Sequence, residues 1–213
     1  MLPPMIKVAI CCAAGQELLV PRDPSVVSLH YHHELDQFLR AGADIYIDAA
    51  FQWQPERLER LRRLSPAPLL INEVIHTLET LPSSFIRYNG WKGFACQPVL
   101  ECCSREGRLP ETLLRVAEAC GWSCQLVPDQ PGMVRPRILA MVINEAYYAL
   151  GEQVATSTDI DTAMKTGTNY PFGPFEWGMR IGLDKIYTLL EVLARQHPKY
   201  KPAPALSEAV TTV

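Results

Sequence analysis

The hydrophobic pattern of the first 128 residues alternates between short apolar runs and segments of helical periodicity. Several of the runs are continuously apolar, as is typical of parallel strands that are covered on both faces. Between the runs, residues 32–42, 55–64 and 110–121 carry apolar side chains at helical spacing. We therefore predict an α/β layered sheet, with strands in KVAICC, VVSLHY, DIYIDAAF, PLLINEV, SFIRYN, PVLECC and SCQLVPD.

The pattern becomes helical throughout after residues 128–132, PDQPG. Residues 137–152 are apolar almost all round, which predicts a buried central helix or an interface helix. Thr156 and Asp159 have the spacing of a capping box, and we expect the helix that follows them to close on Gly167.

Two shorter helices are predicted near the end of the chain. Pro174 with Glu176 suits the opening of one, and residues 183–196 carry leucine and isoleucine at the spacing of the other. The tail at residues 199–210 is expected to pack loosely.

Composition excludes several classes of protein. The 213 residues are 48% apolar and 20% charged, as in a globular domain, and the net charge of −3 argues against an extended nucleic-acid surface. No apolar run approaches the length of a membrane span, and the order of residues at the N-terminus does not fit a signal peptide. Seven cysteines lie in apolar segments without a CxxC motif, so we expect free thiols and a cytoplasmic location.

Residues 128–184 resemble the C-terminal domain of the 3-hydroxyacyl-CoA dehydrogenase family. The matching elements are PDQPG, then PRILAMVINEA, then GEQVATSTDIDTAMKTGTNYPFGPFEWGMRIGLD, in that order. The resemblance implies a helical domain that forms much of a dimer interface and one wall of an active cleft, with a Rossmann-type NAD-binding domain as the other wall. We therefore expect a reduced, degenerate Rossmann-like parallel-sheet domain at residues 1–128 and an all-α dimerisation domain at residues 129–213.

The same resemblance assigns the catalytic positions. SFIRYNGWKGFACQPVLECC aligns without gaps with the family segment that carries a catalytic His and Glu. The Glu falls on Glu101, whereas the His position holds Asn89 and the position of a further catalytic Asn holds Pro136. No serine in NEVIH, residues 72–76, matches the polar stretch of the family. Because an amide does not titrate near neutral pH, the sequence predicts that the catalytic base is missing.

The nucleotide-binding loop is the second departure from the family. A dinucleotide fingerprint requires G-x-G-x-x-G after the first strand, and this chain has Gly15 alone, followed by Pro21 and Pro24, which preclude a long helix. No acidic residue closes the second strand, where residues 30–33 are His-Tyr-His-His. We expect no cofactor, and NAD only if the site has been rebuilt.

Other polar groups have two interpretations each. His30, His32 and His33 could bind a metal, but they are more typical of surface residues, and we predict no metal site. The arginines of residues 57–63 could meet the phosphates of CoA, although the interspersed glutamates favour a solvated helix face. Glu101 either has a functional role or is a structural residue that caps a backbone group or forms an ion pair.

The resemblance also implies roles for two further sets of residues. Lys92 and Arg135 replace uncharged family positions near the cleft and are candidate substrate-binding residues. The aromatic residues of GTNYPFGPFEWG are expected to provide core and interface packing; they are Tyr170, Phe172, Phe175 and Trp177.

Three functions remain open from the sequence. The first is a degenerate 3-hydroxyacyl-CoA dehydrogenase homologue of acyl-CoA metabolism that binds an acyl-CoA-like ligand, as a homodimer, with NAD-dependent redox activity lost or impaired. The second is an active NAD-dependent 3-hydroxyacyl-CoA or 3-hydroxybutyryl-CoA dehydrogenase with a rebuilt site. The third is a structural dimer without a ligand.

Overall fold

The computed structural model describes residues 4–14, 21–92, 94 and 98–211. The chain divides into two compact units, of which the first comprises Met1–Gly90 and Cys96–Asp129 and the second Trp91–Ala95 and Gln130–Val213. No helix within the described residues is both long enough and apolar enough to cross a membrane.

The first unit is built on a mostly parallel sheet, which confirms the predicted fold class. All seven predicted strands are present within three residues of the expected bounds: β1 Ile6–Cys11, β2 Val27–His32, β3 Ile45–Asp48, β4 Leu69–Asn72, β5 Phe85–Tyr88, β6 Val99–Ser104 and β7 Ser123–Leu126. The order is β2-β1-β3-β4-β5-β6-β7, and every neighbouring pair is parallel except β5 and β6.

Three helices accompany this sheet in the described residues, where the helical periodicity predicted them. They are α1 Leu35–Leu39, α2 Pro55–Leu61, which continues as a 3₁₀ turn at Arg62–Leu64, and α3 Glu111–Ala119. Helix α3 places Leu113 and Val116 in the main core cluster together with apolar residues of β1. One face of the sheet is therefore covered by the helix that follows β6.

The connection from β1 to β2 contains no helix in its described residues, 12–14 and 21–26. The backbone N–H groups of Arg22 and Asp23 instead donate to the carbonyl oxygen of Ala119, at 2.7 and 3.1 Å, and so lay the connection against the end of α3. Pro21 and Pro24 were expected to preclude a helix here. Gly15 lies outside the described residues.

The second unit is helical. Its helices are α4 Arg135–Gly151, α5 Ser157–Thr168, α6 Pro174–Ile181, α7 Leu183–Ala194 and α8 Pro204–Thr211, with a 3₁₀ turn at Pro198–Tyr200. Helix α4 buries one face, which includes Leu139 and Ile143, and leaves Ile138 59% exposed. It is thus amphipathic in this chain, rather than buried all round.

Two expectations about this unit are wrong. Helix α5 ends one residue beyond Gly167, and Asn169 adopts the left-handed conformation that ends it, with φ of 56°. The C-terminal tail forms a packed helix, since Ala203 and Leu206 are fully buried. The buried amide of Asn144 anchors this segment, because it donates to the carbonyl oxygen of Lys201 at 2.9 Å and accepts from the N–H of Ala203 at 2.8 Å.

Candidate active site

The carboxyl ends of β3, β4 and β5 lie side by side in the first unit, since these strands are parallel neighbours. Asn72, the last residue of β4, connects them: its side-chain amide donates to the carbonyl oxygen of Ala49 at 3.3 Å, and its side-chain oxygen accepts from the N–H of Gly90 at 3.0 Å. A side chain at Gly90 would overlap Asn72, so glycine is required for this close approach. In open α/β sheets, this end of the strands is where ligands bind.

Asn89 and Glu101, the aligned catalytic positions, are in direct contact. Asn89 follows β5 and Glu101 lies in the antiparallel β6, and the N–H of Asn89 donates to the carbonyl oxygen of Glu101 at 3.0 Å. The side-chain amide of Asn89 also donates to Oε2 of Glu101 at 3.1 Å. Both side chains are buried, with 5% and 1% exposure.

Glu101 thus accepts a hydrogen bond from an amide, at the position where the family resemblance implies an imidazole. A buried carboxylate requires hydrogen-bond donors, and the Asn89 amide supplies one. An amide can hydrogen-bond a ligand, but it cannot accept a proton from a hydroxyl near neutral pH. The Asn89 amide can therefore position or bind a ligand, and it cannot act as a general base.

The segment after β4 contains a histidine–carboxylate pair that the sequence did not predict. Oε1 of Glu73 accepts from the N–H groups of Ile75 and His76 at 2.6 and 3.0 Å, and Oε2 lies 3.2 Å from Nδ1 of His76. The His76 ring stacks on Trp53, with centroids 4.3 Å apart. The signal was Glu and His at i and i+3 directly after a buried strand, where the family has its polar stretch.

A fully buried arginine holds this segment in place. Arg87 of β5 donates to the carbonyl oxygens of Glu73 and Val74 at 3.0 and 2.8 Å and forms an ion pair with Asp129. Asp129 also accepts from the N–H of Leu78 at 2.8 Å. The buried charge is therefore paired and hydrogen-bonded, as a charge in a protein interior must be.

The arginines of α2 do not form one solvated face. Arg57 reaches the fully buried Asp48 at the end of β3 through two hydrogen bonds, of 2.7 and 2.9 Å, and its guanidinium lies 3.7 Å from the sulfur of Cys11. Burial and the Asp48 carboxylate raise the pKa of Cys11 to about 11. The prediction of a solvated face is wrong for Arg57, while Arg60 and Arg62 lie at the surface in ion pairs with Asp36 and Glu59.

The histidines of β2 have separate surroundings. His30 is exposed, Nδ1 of His33 lies 3.1 Å from the carbonyl oxygen of Cys12, and His32 packs edge-on against Phe38 with centroids 6.4 Å apart. Burial lowers the pKa of His32. Within the described residues, no group of three or more His, Cys, Asp or Glu side chains could hold a metal ion.

The aromatic stretch of residues 167–178 is a helix junction in the second unit. Trp177 lies 5.2 Å from Tyr170 and 6.0 Å from Phe172, and Phe175 lies 4.9 Å from Tyr147, measured between ring centroids. These ring contacts confirm the packing predicted within the unit, and the interface part of the expectation stays a prediction.

Two carboxylates fix the start of α6 at this junction. Glu176 accepts from the N–H of Gly173 at 3.0 Å, and the buried Asp161 of α5 accepts from the N–H groups of Phe175 and Glu176 at 2.8 and 3.2 Å. A Cβ at Gly173 would overlap the Asp161 carboxylate, so glycine is needed there for space. Lys165 lies 2.5 Å from Glu176, and these donors lower the pKa of that carboxyl.

The remaining candidate positions also belong to the second unit, whereas Asn89 and Glu101 belong to the first. Pro136 is buried in the first turn of α4, where it has no N–H to offer. The guanidinium of Arg135 lies 5.3 Å from the centroid of the Phe94 ring, and Lys92 is exposed. The structure thus brings Asn89 to Glu101 and keeps the predicted substrate-binding cations on the helical unit.

Comparison with known proteins finds relatives that match one or both units. Residues 132–212 match the model of the 3-hydroxyacyl-CoA dehydrogenase C-terminal domain. A 3-hydroxyadipyl-CoA dehydrogenase of Escherichia coli is 45% identical over 84 residues, which are 38% of this chain and 18% of that protein. A 3-hydroxybutyryl-CoA dehydrogenase of Bradyrhizobium diazoefficiens is 27% identical over 203 residues, which are 94% of this chain and 56% of that protein.

The structural likeness extends over both units. The crystal structure of (S)-3-hydroxybutyryl-CoA dehydrogenase from Ralstonia eutropha is similar with a TM-score of 0.71 and 26% identity, and the likeness covers 86% of this chain and 70% of that one. The matched part of the chain spans at most about half the length of the two sequence relatives named above.

Proposed function

The chain belongs to the 3-hydroxyacyl-CoA dehydrogenase family, and we propose that it is a member that binds an acyl-CoA-like ligand and has lost NAD-dependent hydride transfer. The observation that carries the proposal is the hydrogen bond between Asn89 and Glu101. Glu101 is present at the position of the family carboxylate, but the group it holds is an amide. General acid–base catalysis contributes roughly 10²- to 10⁴-fold to a rate, so this change alone impairs turnover.

The residues that should hold NAD do not fit it in the described part of the chain. A pyrophosphate needs close backbone approach at a helix N-terminus after β1, and residues 12–14 and 21–26 contain neither a glycine nor a helix. The first acidic residue after β2 is Glu34, two residues beyond the strand, where it precedes α1 instead of closing β2. These features support the loss of cofactor binding.

We extend the proposal to the assembly and location of the protein. A homodimer through the C-terminal helices is supported by exposed apolar side chains on α4 and α6, since Ile138 is 59% and Met179 79% exposed. Acyl-CoA binding is supported by Lys92 and Arg135, whose charges can meet phosphates. Free thiols at all six described cysteines are consistent with a cytoplasmic location.

Calorimetric titration of the purified full chain with NADH and, separately, with acetoacetyl-CoA tests the proposal. We expect saturable heat with acetoacetyl-CoA and none with NADH. The variant Asn89→His restores the imidazole but not the nucleotide loop, so it should still not oxidise NADH. Saturable binding of NADH would refute the loss of the cofactor, and binding of neither compound would favour the structural dimer.

One observation favours the alternative of an active dehydrogenase with a rebuilt site. The Glu73–His76 pair follows β4, at the same end of the sheet as Asn89 and Glu101, and a carboxylate-oriented imidazole is a potential base. Under that alternative, His76→Gln abolishes NADH-dependent reduction of acetoacetyl-CoA, whereas the exposed control His30→Gln leaves it unchanged.

A further inference from the structure

A recess lies at the end of the sheet where β4 and β5 begin, opposite the end that carries Asn89. Pro68 precedes β4, Ser84 precedes β5, and Ser104 ends the antiparallel β6, so the three meet at this end. The N–H of Leu69 donates to the carbonyl oxygen of Ser84 at 2.9 Å and so joins the two strand starts. The recess encloses about 200 Å³, which is below the range of roughly 300–1,000 Å³ for drug-sized ligands and suits a smaller molecule.

The wall of the recess combines hydroxyl groups with apolar rings. The rings of Pro66, Pro68 and Pro110 supply apolar surface, and serine hydroxyls are interspersed between them. A ligand that fits both must have an apolar body and a polar end.

Ser84 provides a hydroxyl that a ligand can satisfy. Its oxygen is shielded from solvent and has no hydrogen-bond partner among the described residues, although it lines the recess. A buried hydroxyl without a partner is unfavourable, so a ligand oxygen that displaces the atoms shielding Ser84 Oγ would supply the missing hydrogen bond. Nearby, Ser104 Oγ accepts from the N–H of Glu106 at 3.3 Å, and its own O–H therefore remains a donor.

Arg108 supplies the charge. Its Nε donates to Oε2 of Glu106 at 3.2 Å, and this is its one side-chain contact with the described residues. The Arg108 side chain is 82% exposed, and the contact leaves the two terminal nitrogens of its guanidinium as donors, in the fork geometry that matches a carboxylate. The carboxylate of Glu106 weakens the attraction of an anion without removing it, because the site is open to water.

The recess continues into a second cavity whose lining mixes charged and apolar side chains. This cavity shares Glu106, Arg108 and Pro110 with the first and is also lined by Leu109, Glu111 and Leu114. Leu114 is 45% exposed. An apolar chain that starts near Arg108 thus has leucine and proline side chains to cover it.

We propose that this recess binds a small carboxylate with an apolar body. The carboxylate lies between Arg108 and the hydroxyls of Ser84 and Ser104, and the body packs against the proline rings and Leu114. The site is independent of the proposed acyl-CoA function, since it lies at the other end of the strands.

Titration of the full chain with sodium hexanoate, followed by NMR, tests the site, with acetate and hexan-1-ol as probes that lack the body and the charge. We expect saturable binding of hexanoate at a concentration on the order of 1 mM and weaker binding of the other two. Ser84→Ala should weaken hexanoate binding about fivefold, and Arg108→Gln about tenfold. The matched control Ser157→Ala, in the helical unit, should not change it.

A second readout separates ligand binding from a structural role. Ser84→Ala removes a hydroxyl without a partner, so the thermal midpoint of the variant should equal or exceed that of the wild type while its affinity falls. The proposal is overturned if hexanoate does not saturate, if hexan-1-ol binds equally well, or if Ser84→Ala and Arg108→Gln both retain the wild-type affinity.

Discussion

The aromatic stretch of the helical unit depends on Asp161, and its replacement should be the most informative stability test. In Asp161→Ala, the N–H groups of Phe175 and Glu176 lose their acceptor at the start of α6. Loss of a capping side chain costs about 0.5–2 kcal/mol, and a hydrogen bond to a charged group contributes about 1.5–3 kcal/mol. The negative charge at a helix N-terminus adds about 0.3–1 kcal/mol.

These contributions overlap, so we expect the free energy of unfolding to fall by about 2–3 kcal/mol. Asp161→Asn, which keeps one acceptor, should lose about half of that. Urea unfolding followed by circular dichroism measures both variants, with Glu152→Ala as the control on an exposed position of the same unit. A loss below about 0.5 kcal/mol in Asp161→Ala, equal to that of the surface control, would refute the capping role.

Three further predictions concern charges and thiols. Arg87→Met removes the cation paired with Asp129 and the donor of two carbonyl groups, and it should lower the free energy of unfolding by about 3–5 kcal/mol in urea titration. The pKa of Glu176 is lower in the folded state, mainly because of Lys165. The ionised carboxyl therefore stabilises the fold above the ordinary glutamate pKa, and this stabilisation is lost as the pH falls through the lowered pKa. Glu176→Gln should reduce the decrease of the thermal midpoint in acid. Burial raises the pKa of Cys11 and Cys103 to about 11, so roughly one thiol in a thousand is ionised at pH 8, and iodoacetamide should modify them only after urea is added.

The sequence predicted the elements well because their signals are local. Continuous apolar runs gave the strands of the sheet, and Thr156 caps α5 as its spacing indicated, with its side chain accepting from the N–H of Asp159 at 3.2 Å. The C-terminal helix was missed because its packing depends on Asn144, which lies 59 residues away from Ala203 and gives no local signal.

The sequence predicted only those residues of the candidate site that align with catalytic positions of the family. The alignment assigned Asn89 and Glu101 to two catalytic positions of the family, and the antiparallel pairing of β5 and β6, which the sequence did not predict, brings them into contact. The Glu73–His76 pair and the reach of Arg57 to Asp48 were missed, since each depends on side-chain direction at the strand ends. The periodicity predicted a solvated position for Arg57. Because Arg57 lies in the first turn of α2, its side chain instead reaches the buried carboxylate of Asp48.

The most direct test of the account is the rate at which the full chain oxidises NADH in the presence of acetoacetyl-CoA, compared between the wild type and Glu101→Gln. We expect no oxidation above the rate without protein in either form, because the side chain that donates to Glu101 is the amide of Asn89 and not an imidazole. Oxidation by the wild type that is lost in Glu101→Gln would contradict the account and establish an active dehydrogenase that still uses this carboxylate.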